Sequence, residues 1–163
     1  MNKILLISTG GTFNKVYDPL KGELIIDETS SALKEIASKW LCEFDIINII
    51  AKDSLELNSQ DRLELLATIS QSAYKNIIVV HGTDTQELTA EYLADGDLEK
   101  KIIITGAMVP YSIDPVEATA NLASAFGYLQ MLNKRGVYIA MNGIFGSYEK
   151  IKKDRNKGKF ILS

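Results

Sequence analysis

The chain has 163 residues, 46% of them apolar and 24% charged, with a formal net charge of −3. This length and composition predict a single globular domain over residues 1–163, while the acidic balance and the lone Cys42 give no reason to expect nucleic-acid binding or an intrachain disulfide. No run approaches the roughly 20 apolar residues that span a bilayer, and the apolar run after Lys3 is too short for a signal-peptide core, so we expect a cytoplasmic protein without a membrane partner.

The first half of the chain alternates short apolar runs with amphipathic stretches. A buried strand is predicted at 3–8, followed by a segment at 13–27 that has turn signals and no helical periodicity. This segment is either a mobile loop or a short hairpin, and its Tyr17 makes it a candidate lid. A helix capped by Ser30 or Ser31 is predicted to run to about residue 40, followed by a strand at 45–50.

The second half continues the same alternation. A helix capped by Asn58 or Ser59 is predicted to run to about residue 74, and later helices at about 85–94 and 114–132. The last of these has the clearest start, with Asp114 as N-cap, Pro115 as the first helical residue and Glu117 two residues later. Further strands are predicted at 76–81, 101–105 and 136–142.

Strands that alternate with helices in this way predict an α/β fold. The strands are nearly continuous apolar runs, as expected when helices cover both faces of a sheet. We therefore expect a three-layer, doubly wound, mainly parallel sheet of the flavodoxin or Rossmann type, with strand order left open. In such sheets, ligands bind beyond the carboxyl ends of the strands.

Small polar residues follow every predicted strand at that end. Thr-Gly-Gly-Thr at residues 9–12 follows the first strand and Gly-Thr-Asp at 82–84 the third. The other three turns contain Asp53 and Ser54, residues 105–110, and Asn142 with Gly143. Any one such turn is weak support for a site, but five at one edge of a sheet favour a binding site there.

Phosphate and metal chemistry fit these residues poorly. Residues 9–14 match neither G-x-G-x-x-G nor G-x-x-x-x-G-K-[ST]. His81 is the only histidine, and no cluster has metal-ligand spacing, so no metal or other cofactor is expected. A Ser-His-Asp triad is also disfavoured, because no G-x-S-x-G elbow is present. We expect His81 to end its strand and orient the turn.

Nucleophilic catalysis by a threonine is the remaining chemistry. A threonine hydroxyl needs a neighbouring base, and a desolvated lysine can serve. Asp84 could hold such a lysine by a charge-assisted hydrogen bond, with Thr83 as a relay. Backbone amides around Gly10, Gly11 and Ala107 could stabilise an oxyanion. The basic segment at 150–159 is either a solvated tail or the source of that lysine.

Together these motifs resemble the bacterial-type L-asparaginase/glutaminase family. Residues 9–12 resemble its first active-site motif, and His-Gly-Thr-Asp-Thr at 81–85 resembles its second closely. Residues 105–110 resemble a family turn, with Val109 where arginine is usual, and residues 136–142 resemble its fifth strand. The resemblance covers nearly the whole chain in order and spacing.

The resemblance implies a role for each matching residue. Thr12 would be the acylated nucleophile, Thr83 and Asp84 members of a second triad, and Lys153 the catalytic lysine, with Lys152 as the alternative. Tyr17 would be the flexible-loop tyrosine, Ser54 would contact the substrate carboxylate and Asp84 its α-amine. The implied substrate-binding residues are Gly11, Asp53, Ser54, Gly82, Thr83, Asp84 and Ala107.

The implied activity is hydrolysis of the side-chain amide of L-asparagine, with L-glutamine as the second candidate, to the acid and ammonia through a threonine acyl-enzyme. The partner would be a small amino-acid amide, and the protein a homo-oligomer, dimer or tetramer. The family has a C-terminal domain that completes the site of a neighbouring subunit, and it is absent here. We favour a naturally short relative over a truncation. The alternative is a catalytically weak or inactive asparagine- or aspartate-binding module, or a subunit of an amidotransferase-type complex.

Overall fold

The computed structural model describes residues 3–41 and 43–163, so Cys42, predicted to be a partly buried apolar residue, lies outside the described residues. The strands are β1 (Ile4–Gly10), β2 (Lys15–Asp18), β3 (Glu23–Ile26), β4 (Phe44–Lys52), β5 (Asn76–Val80), β6 (Lys101–Thr105), β7 (Gly136–Met141), β8 (Ile144–Ser147), β9 (Ile151–Asp154) and β10 (Lys159–Leu162). The α-helices are α1 (Ser31–Trp40), α2 (Ser59–Gln71), α3 (Gln86–Asp95) and α4 (Pro115–Met131). None of the described helices is long and apolar enough to cross a membrane.

Six strands form the central sheet in the order β4-β1-β5-β6-β7-β8. The first five are parallel and are the five strands predicted from the sequence, while β8 is antiparallel to β7. Taken in chain order, the parallel strands lie 2-1-3-4-5, which is the flavodoxin-like order and confirms the predicted fold class. Strand order reverses at β1, so the crevice for a ligand is expected between the ends of β1 and β5.

Helices cover both faces of this sheet. Leu65 of α2 and Leu93 of α3 pack on one face, and Leu33 of α1 and Leu122 of α4 pack on the other. Alternate residues of β1 contribute to the two cores, and all seven are buried. This two-sided burial explains why the strands are continuous apolar runs instead of alternating ones.

The helix starts agree with the sequence signals in three of four cases. Asn58 and Asp61 form a reciprocal capping box on α2, Thr85 precedes α3, and the Asp114 carboxylate accepts the amide of Val116 at 3.1 Å. The prediction for α1 was wrong in detail. Ser30 occupies the N-cap position but its side chain makes no capping hydrogen bond, and the Asp27 carboxylate accepts the Ser31 amide at 2.9 Å instead.

Two hairpins lie outside the central sheet. Residues 13–27, predicted as a loop or hairpin, contain the hairpin β2–β3, closed by a bond of 2.8 Å from the Gly22 amide to the Asp18 carbonyl. The basic C-terminal segment forms the hairpin β9–β10, and its Ile151 and Phe160 are buried in the core beside α3. The solvated-tail interpretation of this segment is therefore wrong.

Candidate active site

The turns after β1 and β5 meet backbone to backbone at the crevice. Gly11 has a φ of 75°, and a Cβ added there would lie 2.5 Å from the amide nitrogen of Gly82. A side chain at Gly82 would in turn meet Ser54 Oγ at 2.7 Å. Glycine is therefore required at both positions, because only a bare backbone allows the three strand-end turns to come this close.

Ser54 joins the turn after β4 to the turn after β5. Its side chain is buried, and its Oγ accepts the Asp84 amide at 3.1 Å. The Thr85 hydroxyl donates to the Ser54 carbonyl at 2.9 Å. The hydroxyl hydrogen of Ser54 has no acceptor among the described residues, so it can still be donated to a ligand.

Lys153 reaches the turn after β5 from the C-terminal hairpin. Its Nζ lies 2.8 Å from Thr83 Oγ1 and 2.8 Å from Asp84 Oδ1, and its side chain is only 11% exposed. Lys152 is exposed and makes no hydrogen bond or ion pair through its side chain within the described residues. The hydrogen bond from Lys153 lowers the pKa of Asp84, and Arg155 adds to this effect against the opposing effect of burial. Asp84 is therefore a carboxylate at neutral pH.

Two further side chains hold this arrangement, and the sequence reasoning missed both. Glu87, in the first turn of α3, accepts the backbone amide of Lys153 at 2.7 Å. Arg155 donates to the Asp84 side chain through Nη1 at 2.9 Å and to the Asp84 carbonyl through Nη2 at 2.9 Å. In the sequence, Glu87 resembles an ordinary acidic residue at a helix N-terminus, and Arg155 is one of six cations in a basic segment.

A buried polar network that includes residues of α2 and α3 supports the turn after β5. His81 Nδ1 lies 2.6 Å from the Gly82 carbonyl and Nε2 lies 2.8 Å from the Thr89 hydroxyl. A carbonyl only accepts, so Nδ1 carries the proton, and Thr89 donates to Nε2 while accepting from Arg62 Nε at 3.0 Å. Burial, assisted by Arg62, lowers the pKa of His81 to about 4, with the bond to Gly82 acting against them. His81 is therefore neutral and orients the turn.

The remaining candidates stand apart from this cluster. Thr12 begins a short 3-10 helix (Thr12–Asn14) directly after the glycines, and its hydroxyl is unbonded among the described residues. Tyr17 lies on β2, 64% exposed, and its hydroxyl is also unbonded there. Asp53 pairs with Lys15 at 3.2 Å.

The backbone amides suggested to stabilise an oxyanion differ in whether they are free to donate a hydrogen bond to a ligand. Gly10 and Gly11 were wrong choices, because the Gly10 amide donates to Ser8 Oγ at 3.4 Å and the Gly11 amide donates to the Lys52 carbonyl at 3.0 Å. The amides of Thr12 and Ala107 donate no hydrogen bond within the described parts of the chain. No group of three or more His, Cys, Asp or Glu side chains in residues 3–41 and 43–163 is placed to hold a metal ion.

The chain resembles known proteins over nearly its full length. A sequence profile of the family described as "Asparaginase, N-terminal" matches residues 3–158. A probable periplasmic L-asparaginase of Haemophilus influenzae is 30% identical over 160 residues, covering 85% of this chain and 42% of that protein. A subunit of the glutamyl-tRNA(Gln) amidotransferase of Methanococcus maripaludis is 30% identical over 155 residues, covering 90% of this chain and 36% of that protein.

The fold is shared with solved structures. The thermostable L-asparaginase from Thermococcus kodakarensis superposes with a TM-score of 0.83 at 20% sequence identity, covering 98% of this chain and 51% of that one. The chain therefore spans about half of the solved enzyme and about two fifths of the curated relatives it matches.

Proposed function

Because this chain belongs to the asparaginase family, of which it matches the N-terminal domain, we propose that it supplies the nucleophile-bearing part of an amidohydrolase. The substrate would be L-asparagine first and L-glutamine second, with the acid and ammonia as products. One observation carries the proposal: Lys153 Nζ lies 2.8 Å from both Thr83 Oγ1 and Asp84 Oδ1, at the sheet edge where Thr12 also lies. A hydroxyl, an amine and a carboxylate in contact are the parts that nucleophilic catalysis needs to move protons.

In the first step of the proposed reaction, Thr12 Oγ attacks the side-chain amide carbon. A C–O bond forms, the C–N bond breaks, and the hydroxyl proton passes to the departing nitrogen, which leaves as ammonia. The unbonded amides of Thr12 and Ala107 would receive the negative charge on the carbonyl oxygen. Tyr17, on the exposed hairpin next to Thr12, is proposed to close over the substrate.

In the second step, water hydrolyses the acyl-enzyme ester and restores Thr12. Thr83 Oγ1 would accept a proton from that water while its own hydroxyl proton passes to the Thr12 oxygen, and Lys153 and Asp84 would hold Thr83 in position. Ionised Asp84 holds the lysine by a charge-assisted hydrogen bond. The same carboxylate would bind the substrate α-ammonium, and the free hydroxyl hydrogen of Ser54 would be donated to the α-carboxylate.

A coupled ammonia assay on the purified chain tests this proposal. We expect ammonia release from L-asparagine that is abolished in Thr12→Ala and Thr83→Ala. Thr68→Ala is the matched control, because its hydroxyl donates to the Glu64 carbonyl within α2, away from the sheet edge. Ammonia release that persists unchanged in Thr12→Ala would contradict the mechanism.

Assembly is part of the proposal, since the chain spans only about two fifths of its curated relatives. We propose a homo-oligomer, dimer or tetramer, in which a neighbouring polypeptide completes the site. Light scattering on the purified chain measures this directly. A monomer that turns over L-asparagine would contradict it.

A second function is favoured by the 30% identity to an amidotransferase component over 90% of this chain. The chain would then bind L-asparagine or L-aspartate, or it would release ammonia to a partner protein. In either case the isolated chain would not turn over its substrate efficiently. Isothermal titration separates the two functions. Saturable binding of L-aspartate without ammonia release favours the binding module, whereas turnover by the purified chain excludes it.

A further inference from the structure

Asp84, the proposed contact for the substrate ammonium, is already paired with two cationic side chains. Its Oδ1 accepts from Lys153 Nζ at 2.8 Å and from Arg155 Nη1 at 2.9 Å. Arg155 also donates to the Asp84 carbonyl, so its guanidinium bonds both the main chain and the side chain of one residue. Two cations therefore share one oxygen of this carboxylate, which reduces the attraction that Asp84 can offer to a third cation.

A second carboxylate, that of Glu87, contacts the hairpin without pairing directly with either cation among the described residues. Glu87 Oε1 bonds the backbone amide of Lys153, and it makes no ion pair with Arg155 among the described residues. Oδ2 of Asp84 accepts no hydrogen bond in the same part of the chain, so it is the oxygen left for a ligand. A ligand ammonium on Oδ2 would lie a few ångströms from two fixed cations and be repelled by both.

We propose that Arg155 determines specificity by weakening the hold of Asp84 on an α-ammonium, so that the site discriminates less strongly between L-asparagine and half-amides of dicarboxylic acids that lack a free amine. This inference rests on the proposed function, because it takes Asp84 as the ammonium contact. The additional ligand class has a carboxylate at one end, an amide at the other and no charge-bearing nitrogen between them.

Matched product ligands test the inference without requiring turnover. L-aspartate and succinate differ only in the α-ammonium, so the ratio of their dissociation constants isolates its contribution. Arg155 is 62% exposed, and solvent screens its charge. We therefore expect Arg155→Gln to shift this ratio about fivefold toward L-aspartate. The shift should shrink as ionic strength rises.

Two variants give the measurement its controls. Lys159→Gln removes an exposed cation from the same hairpin without touching Asp84, and it should leave the ratio unchanged. Arg155→Lys keeps the charge but loses the paired contacts with the Asp84 side chain and carbonyl, and it should keep the wild-type ratio. This variant is the one to measure if Arg155→Gln fails to fold. A purely structural role for Arg155 would lower thermal stability in Arg155→Gln and weaken both ligands equally.

The outcomes separate this inference from the proposed function. Isothermal titration in which Arg155→Gln changes both ligands by the same factor would overturn it, as would wild-type protein that binds neither ligand at millimolar concentration. A shifted ratio with no ammonia release supports the role of Arg155 while the hydrolase proposal fails. Ammonia release that depends on Thr12, together with an unshifted ratio, leaves the hydrolase standing and removes Arg155 from specificity.

Discussion

Lowering the pH should destabilise this fold because protonation of His81 is disfavoured in its native position. The ring is buried, with Nδ1 bonded to the Gly82 carbonyl and Nε2 to the Thr89 hydroxyl. Burial, with a contribution from Arg62, lowers the pKa of this histidine from 6.5 to about 4, although the bond to Gly82 opposes the shift. An extra proton would leave Nε2–H facing a hydroxyl that already accepts from Arg62.

The size of the effect follows from linkage between proton binding and folding. The unfolded chain binds a proton at His81 below a pH of about 6.5, whereas the native chain does so only near a pH of about 4. The unfolded state therefore holds more protons in this window, and stability falls with falling pH. The free energy of unfolding should drop by about 2 kcal/mol by a pH of about 5 and by about 3 kcal/mol by a pH of about 4.

Urea unfolding followed by the fluorescence of Trp40, the single tryptophan, measures this dependence. Titrations between pH of about 8 and about 5 stay above the range in which Asp84 and Asp61, whose pKa values are lowered, take up protons. His81→Gln removes the titrating group and should flatten the profile. Wild-type stability that is constant over this range, or a variant with an equal slope, would refute the reasoning.

Three further predictions concern the lysine and the glycines. Lys153→Met should abolish ammonia release in the coupled assay while Lys152→Met retains it, because only Lys153 contacts Thr83; equal losses would contradict the assignment. Glu87→Ala should lower kcat about tenfold with little change in KM, because it releases the Lys153 backbone. Glu87→Gln should restore most of the rate, and Glu91→Ala on the same helix is the control. A change confined to KM would contradict this prediction. Gly82→Ala should lower the free energy of unfolding by about 1–3 kcal/mol, because the added methyl group clashes with Ser54. Gly127→Ala, in open space on α4, should raise the free energy of unfolding by about 0.5–1 kcal/mol. Thermal melts that rank the two variants the other way would be inconsistent with the packing.

The parallel sheet could be predicted because its inner strands are buried on both faces, so that nearly every residue in them is apolar. Strand β8 could not, since it is four half-buried residues including Gly146, and only pairing with β7 defines it. The hairpin β9–β10 was missed for a similar reason. Ile151 is a lone apolar residue among cations and Phe160 begins a short apolar run at 160–162, and both become core residues when the hairpin packs beside β8.

The candidate site divides in the same way. The rule that ligands bind at the carboxyl ends of strands was enough to select the turns that contain Thr12, Ser54 and Asp84. Lys153 lies 70 residues from Thr83 in the chain, so no local pattern links them, and its number came from the family resemblance alone. The contacts of Glu87 and Arg155 depend on where the hairpin docks, which a single sequence does not encode locally.

The choice between Lys152 and Lys153 has a simple physical basis once the hairpin is known. Successive side chains of a strand point to opposite faces, so Ile151 and Lys153 share one face of β9 and Lys152 lies on the other. Phe160 is directly opposite Lys153 in the antiparallel register and is buried. The apolar residues that seat this face in the core therefore also direct Lys153 toward Thr83, and a slip of one residue would replace it with Lys152. Core packing of the hairpin and delivery of the lysine are thus one structural requirement, so substitutions at Ile151 or Phe160 should impair turnover without either residue touching the substrate.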